Sequence, residues 1–492
     1  MMKFLAREWA QWRIAPHREA MAGAVATFAL IPEVIAFAFV AGIDPQVGLF
    51  ASFVLGLVIA FTGGRPAMVT AAAGSVALVA APLVAAHGLP YLLAAGLLAG
   101  LLQIAFGLLR LGVLMRFVSS SVGTGFVNAL AILIFSAQLP QILGSNAATW
   151  AMLGLGLLII YGLPRLRIPV LGAIPSPLVC IVVLTLAAVQ LDLPLKTVAD
   201  LGRLPEALPA FAWPAVPLTL RTLEIIAWPA LAIAMVGLLE SLMTASVVDE
   251  LTDTPSSKNR ESAGLGAANV AASLFGGIAG CGMIGQTVGN VKYGGRGRLS
   301  TLFAGLFLLV LMVVLKPWVA VIPVVALVAI MVMVSVSTFD WSSLRKLAGH
   351  PKTSSAVMLA TVAVTLATHN LAAGVAVGVM LSGVFFTFKV ARLMQVRVED
   401  APQDGTRIYR VSGQVFFASA QAFIDSFDPR DVPGRQVRID VAQATFWDIT
   451  AVAALDKVVT RLRHHGLEVA LQGLDARSAA LVRQLRESGS QG

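Results

Sequence analysis

Fourteen apolar stretches, most of them 18 residues or longer, follow one another along the chain up to residue 388. A helix of about 20 apolar residues crosses the hydrocarbon core of a bilayer. Only 12% of the 492 residues are charged, whereas soluble domains carry roughly a quarter. The sequence therefore predicts an α-helical polytopic membrane protein and excludes a soluble enzyme, a disordered protein and a nucleic-acid-binding protein. The predicted spans are residues 20–40, 45–62, 69–86, 90–109, 116–139, 149–163, 169–190, 222–247, 262–279, 281–291, 300–315, 318–337, 354–369 and 371–388.

The basic residues between the predicted spans define an orientation. With the N-terminus inside, the inside segments hold 19 Lys or Arg residues and the outside loops hold four. Inside loops of membrane proteins carry such an excess, so we expect both the N-terminus and the C-terminal residues to lie in the cytoplasm. Residues 1–19 are basic and carry Leu5, Trp9 and Trp12 at helical spacing, which predicts an interfacial helix, with a cytoplasmic tail as the alternative.

The density of charge rises near residue 393. Residues 393–492 contain 12 basic and 12 acidic residues. This shift predicts a transmembrane domain over residues 20–392 and a soluble domain over residues 393–492. Within the soluble domain the sequence predicts four strands and three helices, a pattern typical of a small α/β sandwich. The predicted strands are Ile408–Val411, Val415–Phe417, Val437–Val441 and Leu467–Leu471, and the predicted helices are 420–427, 450–465 and 475–488.

A polar, proline-rich interval at residues 191–221 divides the spans into two sets of seven, at about 20–190 and 222–392. Because seven is an odd number, two similar halves must cross the membrane in opposite orientations. The first span of each half carries one embedded acid, Glu33 or Glu240. The third span of each half is short and interrupted by glycine. Those interruptions lie at residues 71–75 and 280–285.

Short, glycine-interrupted spans at matching places in two inverted halves indicate a transporter binding site. A half-helix that begins within the bilayer presents unpaired N–H groups and about half a positive charge at its N-terminus. Two such N-termini can hold an anion without a fixed cation. The alternative is that these glycines only allow close packing of helices.

Several motifs occur along the chain in the order found in a known family. They are Ile31–Ala38, Ala41–Pro45, Gly48–Ser52, Val122–Phe126, Ile174–Leu178, Val236–Leu242, Asn259–Glu261 and Gly276–Ile278. Through these motifs the chain resembles the SulP (sulfate permease) family of anion transporters, of the bacterial type, over nearly its full length. The resemblance implies fourteen spans as two inverted seven-span repeats, divided into core and gate domains, followed by a small α/β STAS domain.

The resemblance also implies a location and a set of partners. The substrate is expected between the starts of spans 3 and 10, and the protein is expected to cross the bacterial cytoplasmic (inner) membrane many times. Its partners are then a small inorganic or organic anion, protons or Na⁺, and the lipid bilayer, with a homodimer left open. No nucleic acid, metal or cofactor is expected.

The chain departs from the family pattern at three places that bear on the site. Glu33 replaces the family's first-span glutamine, and alanines at 71–73 replace a proline that often begins span 3. Gln286 stands where many members have an arginine in span 10. Without that arginine, helix termini and polar side chains are left to bind the anion.

Eight residues are predicted to form the site. Those predicted to bind substrate are Phe37, Gly74, Ser75, Gln286 and Thr287, and those predicted to couple transport to protons or Na⁺ are Glu33, Glu240 and Thr244. Glu240 and Thr244 are four residues apart and share a helix face, and charged groups within spans are usually functional. The alternatives are structural hydrogen bonding for the acids and ordinary packing for Phe37. Cys281 is interpreted as a small packing residue.

The predicted function is secondary active transport of a dicarboxylate, bicarbonate or sulfate by proton-coupled symport with alternating access. A sodium-coupled bicarbonate symporter and an uncoupled anion exchanger or channel are the alternatives. The embedded acids favour coupling, because a channel gains nothing from a titratable carboxylate beside its anion path. The protein is not expected to be an enzyme.

Overall fold

The computed structural model describes residues 11–489 except 13–14, 114–117, 167–175, 201–207, 315, 348, 350, 402–405 and 433. Within these residues, fourteen helices of nine residues or more lie between Pro16 and Ala391. They are α1 (Pro16–Val40), α2 (Pro45–Thr62), α3 (Gly74–His87), α4 (Leu89–Leu108), α5 (Ser120–Ile142), α6 (Ala147–Gly162), α7 (Ser176–Gln190), α8 (Leu220–Thr252), α9 (Lys258–Leu274), α10 (Ile284–Lys292), α11 (Arg298–Val314), α12 (Val324–Thr338), α13 (Lys352–Thr368) and α14 (Leu371–Ala391).

Each predicted span overlaps one of these helices. By length and composition, seven helices in the described part of the chain are able to cross a membrane, and α3, α7, α11 and α13 are shorter apolar helices. Most of the predicted interfacial segment, and the start of the predicted seventh span, lie outside the described residues. Short helices also occur at Lys316–Ala320 and Trp341–Lys346.

The third and tenth helices have the irregular form that their glycines predict. α3 follows a two-residue strand, β1 (Thr70–Ala71), and α10 follows a matching strand, β2 (Cys281–Gly282). At 1.5 Å per residue, the nine residues of α10 extend only about 14 Å. That length is less than half of the roughly 30 Å hydrocarbon core, and the 14 residues of α3 extend only about 21 Å. Because both fall short of the core, we call α3 and α10 the half-helices.

The helices pack in two groups, each of which combines helices from both halves of the chain. Helices α1–α4 pack with α8–α11, whereas α5 packs with α12 and α13, and α12 packs with α6 and α7. Facing glycines allow the closest approaches in the first group. A Cβ atom built on Gly100 of α4 would lie 2.7 Å from the carbonyl oxygen of Gly266 on α9. We call the first group the core helices and the second group the gate helices.

Contacts divide the chain into two compact units, Met1–Val379 and Met380–Gly492. The second unit contains a four-stranded sheet in the order β3 (Gln395–Ala401), β4 (Thr406–Val415), β5 (Gln436–Phe446) and β6 (Glu468–Gln472). β3 pairs antiparallel with β4, and the other pairs are parallel. Three helices accompany the sheet: α15 (Ala420–Asp425), α16 (Ile449–His464) and α17 (Ala476–Gly489).

Two strand predictions in this unit need correction. The predicted strand Ile408–Val411 and the first residue of the predicted strand Val415–Phe417 belong to one strand, β4, which ends at Val415 and contains a register shift between Arg410 and Ser412. Gly413 has a φ of 92°, which a glycine adopts without strain. The first strand, β3, was not predicted because it is polar. It lies at the sheet edge, where charged side chains are common.

Candidate functional site

The two half-helices are joined through the strands that precede them. β1 and β2 pair antiparallel, with Thr70 opposite Gly282 and Ala71 opposite Cys281. Because α3 begins three residues after β1 and α10 begins two residues after β2, this pairing brings both N-termini to one place.

Both half-helices begin without a side-chain cap. Their N-cap residues are Ala73 and Met283, both of which are buried. By contrast, the hydroxyls of Thr219 and Ser257 cap α8 and α9. The first N–H groups of a helix have no partner within the helix, and they attract anions. The uncapped N-termini of α3 and α10 therefore provide two sets of donors for an anion.

A cavity of about 260 Å³ lies in front of these N-termini. The core helices α1, α3, α8 and α10 form one wall, and the gate helices α5, α7 and α12 form the other. The lining residues are Glu33, Phe37, Ala73, Gly74, Ser75, Phe126, Val127, Leu130, Ile134, Pro177, Glu240, Met243, Met283, Ile284, Gly285, Gln286, Met333, Val334, Ser337 and Thr338.

Six of the eight predicted site residues line this cavity: Glu33, Phe37, Gly74, Ser75, Glu240 and Gln286. The two threonines lie behind it. The Thr287 hydroxyl accepts a hydrogen bond from the N–H of Val69 at 2.9 Å. The Thr244 hydroxyl lies within hydrogen-bonding distance of the carbonyl oxygens of Glu240 and Gly282, at 2.8 and 2.9 Å, and its one proton is shared between them. Both threonine hydroxyls therefore bond to backbone groups in or beside β1 and β2, and these bonds hold the two strands in position.

Glu240 connects α8 to both half-helices. Its carboxylate oxygen Oε2 accepts a hydrogen bond from the Ser75 hydroxyl in the first turn of α3, and another from the Cys281 thiol of β2 at 3.0 Å. The neighbouring Ser241 hydroxyl accepts the N–H of Gly282 at 2.8 Å. The Glu240 residue is 8% exposed. A change in the charge of Glu240 therefore changes the electrostatic potential at the N-terminus of α3 directly.

Glu33, Gln286 and Phe37 complete the core side of the cavity. The Gln286 side chain and the Glu33 carboxyl group both line the cavity, so α10 and α1 each bring a polar group to the same wall. The Phe37 ring lies so close to the first turn of α3 that a Cβ atom added to Gly74 would be only 2.6 Å from the ring. Only glycine at position 74 leaves room for this ring.

The sequence interpretation missed two contributions to the site. Cys281, interpreted as packing, donates its thiol to Glu240. On the gate side, Ser337 and Thr338 line the cavity at the end of α12. The only sequence signal for them is a pair of hydroxyls after a long apolar run. In the described part of the chain, no group of three or more His, Cys, Asp or Glu side chains is arranged to hold a metal ion.

A buried amide pair fixes the residue before β2. Asn269 on α9 accepts the N–H of Gly280 at 2.8 Å and donates to its carbonyl oxygen at 3.2 Å. Asn269 also donates to Gln103 on α4 at 2.8 Å, and Gln103 donates to the carbonyl oxygen of Ala234 on α8 at 3.2 Å. The pair therefore joins three core helices to the strand that leads into α10.

We expect Asn269→Ala to lower the free energy of unfolding by about 1–3 kcal/mol, because it leaves the buried N–H of Gly280 without a partner. Thermal unfolding of the purified protein measures this change. The matched control is Ser262→Ala on the same helix, since the buried Ser262 hydroxyl donates to the carbonyl oxygen of Lys258, four residues earlier. Equal effects of the two changes would contradict the role given to Asn269.

Comparisons with known proteins agree with this arrangement. The model of the sulfate permease family matches residues 17–154 and 145–361, and the STAS domain model matches residues 397–489. The Bacillus subtilis protein named "Putative sulfate transporter YbaR" is 49% identical over 475 residues, which cover 96% of this chain and 98% of that protein. The bicarbonate transporter BicA of Synechocystis is 26% identical over 489 residues, covering 89% of this chain and 85% of BicA.

Solved structures share the same fold. The structure of SLC26A9 matches with a TM-score of 0.80 at 18% identity, covering 96% of this chain and 87% of that chain. The transmembrane domain of a cyanobacterial BicA matches with a TM-score of 0.64 at 26% identity, covering 75% of this chain and 98% of that domain. These likenesses confirm the predicted polytopic helical fold of two inverted repeats with a STAS domain. The chain belongs to the sulfate permease family of membrane anion transporters, which are not enzymes.

Proposed function

We propose that the protein is a secondary active transporter that carries a small anion together with protons. The anion binds between the N-termini of α3 and α10, and the core and gate helices give it access to each side of the membrane in turn. The observation that carries this proposal is the hydrogen bond between Ser75 and Glu240, because it joins an anion site and a titratable group in one cavity.

The coupling follows from the chemistry of that hydrogen bond. The hydroxyl of Ser75 has one proton and donates to one acceptor at a time. An anion that accepts from Ser75 at the first turn of α3 therefore takes this donor from Glu240. An ionised Glu240 then keeps only the weak thiol donor of Cys281 and lies beside a second negative charge, which is costly in a buried cavity. Protonation of Glu240 removes that cost, so the anion and the proton bind together.

Glu33 offers a second place for a proton. It lines the same cavity, and none of the described residues that line the cavity with it is Lys, Arg or His. The candidate anions are those of the family: sulfate, bicarbonate and dicarboxylates. Relatives named as a sulfate transporter and a bicarbonate transporter support the first two.

Two other functions keep some support. A sodium-coupled bicarbonate symporter is favoured by the likeness to BicA, and an uncoupled anion exchanger or channel uses the same N-termini without a titratable group. Two carboxyl groups at the cavity favour proton coupling over the uncoupled mode.

The proposal also includes the location of the protein and the limits of its domains. We place the protein in the cytoplasmic membrane of a bacterium, with its N-terminus and STAS domain in the cytoplasm, because the inside loops carry the excess of Lys and Arg. We keep residues 1–19, 20–392 and 393–492 as the N-terminal segment, the transport domain and the STAS domain. A homodimer also belongs to this proposal.

Uptake into liposomes tests the proposal. The purified protein is reconstituted with labelled sulfate, bicarbonate and succinate outside, and the outside is made one pH unit more acidic. For one proton per monovalent anion without a membrane potential, we expect about tenfold accumulation, since 1.4 kcal/mol corresponds to a factor of ten. Liposomes without protein are the control. Uptake driven only by Na⁺, or only by an anion inside, would assign one of the alternatives.

A further inference from the structure

The cavity contains more apolar surface than an inorganic oxyanion needs. Twelve of its twenty lining residues are apolar side chains, and methionines come from three separate elements: Met243 on α8, Met283 before α10 and Met333 on α12. Phe126 and Leu130 of α5 add to the gate wall. Methionine side chains are flexible and adapt to apolar groups of different shape.

The cavity also lacks a positive side chain. Among the described residues that line it, none is Lys, Arg or His. Two helix N-termini supply about half a positive charge each, so together they balance about one negative charge. A divalent anion leaves a second negative charge without a partner, beside Glu33 and Glu240, in a buried place where such a charge is costly.

The size of the cavity agrees with an organic ligand. Its volume of about 260 Å³ is close to the lower limit for sites of small organic molecules, about 300 Å³. The N-termini lie on the core side, whereas Phe126, Leu130 and Met333 lie on the gate side. An anion with a charged head and an apolar body matches both walls.

Resting on the proposed anion site between α3 and α10, we propose that the preferred substrate class is a monovalent organic anion with a short apolar body. Its head accepts N–H donors from the two N-termini, and its body contacts the methionines and the gate helices. Sulfate and the dianions of dicarboxylic acids are then poor substrates. Bicarbonate has the right charge but no apolar body.

Straight-chain alkylsulfonates test this class, because they stay ionised and do not cross lipid as neutral acids. Binding of methane-, propane- and hexanesulfonate to the full-length protein in lipid nanodiscs is measured by calorimetry, with empty nanodiscs as the control. We expect affinity to rise about fourfold for each methylene that the cavity buries. We expect sulfate to bind at least tenfold more weakly than propanesulfonate. Affinity that does not depend on chain length, or tighter binding of sulfate, would overturn the proposal.

Two variants sharpen the test. Met333→Thr should reduce the gain per methylene while methanesulfonate binding stays within about twofold, and Met333→Leu should keep the full gain. Gln286→Arg adds the charge that the cavity lacks and should shift the preference toward sulfate. An unchanged chain-length series in Met333→Thr, or an unchanged ratio of sulfate to propanesulfonate in Gln286→Arg, would count against the proposal. The affinities of the alkylsulfonates do not depend on proton coupling. They therefore test the substrate class even where a pH gradient fails to drive uptake.

Discussion

Glu240→Gln is expected to abolish accumulation of the anion against its gradient while substrate still binds. The amide keeps the size of the side chain and still accepts a hydrogen bond from Ser75, but it carries neither a negative charge nor a transferable proton. With a gradient of one pH unit, we expect the ratio of inside to outside substrate to fall from about ten to about one. Liposome uptake measures the ratio, and binding in nanodiscs shows that the site remains.

Two further variants make this result specific. Glu224→Gln removes a carboxylate from the exposed start of the same helix α8, and it should leave accumulation unchanged. Glu33→Gln tests whether the second acid of the cavity shares the role, in which case accumulation falls only in part. Normal accumulation by Glu240→Gln would mean that this acid does not carry the coupled proton.

The number and order of the helices were predictable because apolar length is a local property of the sequence. Even the half-helices α3 and α10 were indicated, since glycines shorten the third and tenth spans at matching positions. Where each helix begins was less predictable. α8 extends from Leu220 to Thr252, beyond its predicted span of 222–247, because its ends are polar and continue outside the apolar stretch.

The residues that line the cavity were predicted partly from position and partly from chemistry. Phe37, Gly74, Ser75 and Gln286 were selected by their places in the motifs and short spans, and all four line it. An acid within an apolar span has few structural reasons to be there, so Glu33 and Glu240 were identified. Thr244 and Thr287 were selected by their positions near the site, but a hydroxyl also bonds to backbone, and both do so. Cys281 and the gate-side Ser337 and Thr338 required the three-dimensional pairing of β1 with β2 and of core with gate.

The second large effect is expected at Gly285, in the first turn of α10. Gly285 lines the cavity, and a Cβ atom added there would have no heavy atom within 4 Å beyond its chain neighbours and its own helix backbone. A leucine at 285 therefore begins in open space at the cavity wall, where its side chain competes with the anion. Gly74→Leu is a poorer choice, because its Cβ atom alone would meet the Phe37 ring.

We expect Gly285→Leu to abolish substrate binding and uptake in a protein that remains folded. Gly289→Leu is the matched control: it lies one turn later on α10, is equally free of neighbours, and does not line the cavity. Leucine is more favourable than glycine in a helix by up to about 1 kcal/mol, so neither change should unfold α10. Thermal unfolding of both variants checks this. Because the two variants make the same change on the same helix, a loss confined to Gly285→Leu reports occupation of the cavity itself. Unchanged uptake by Gly285→Leu would place the anion elsewhere, and the argument from the two helix N-termini would then fail.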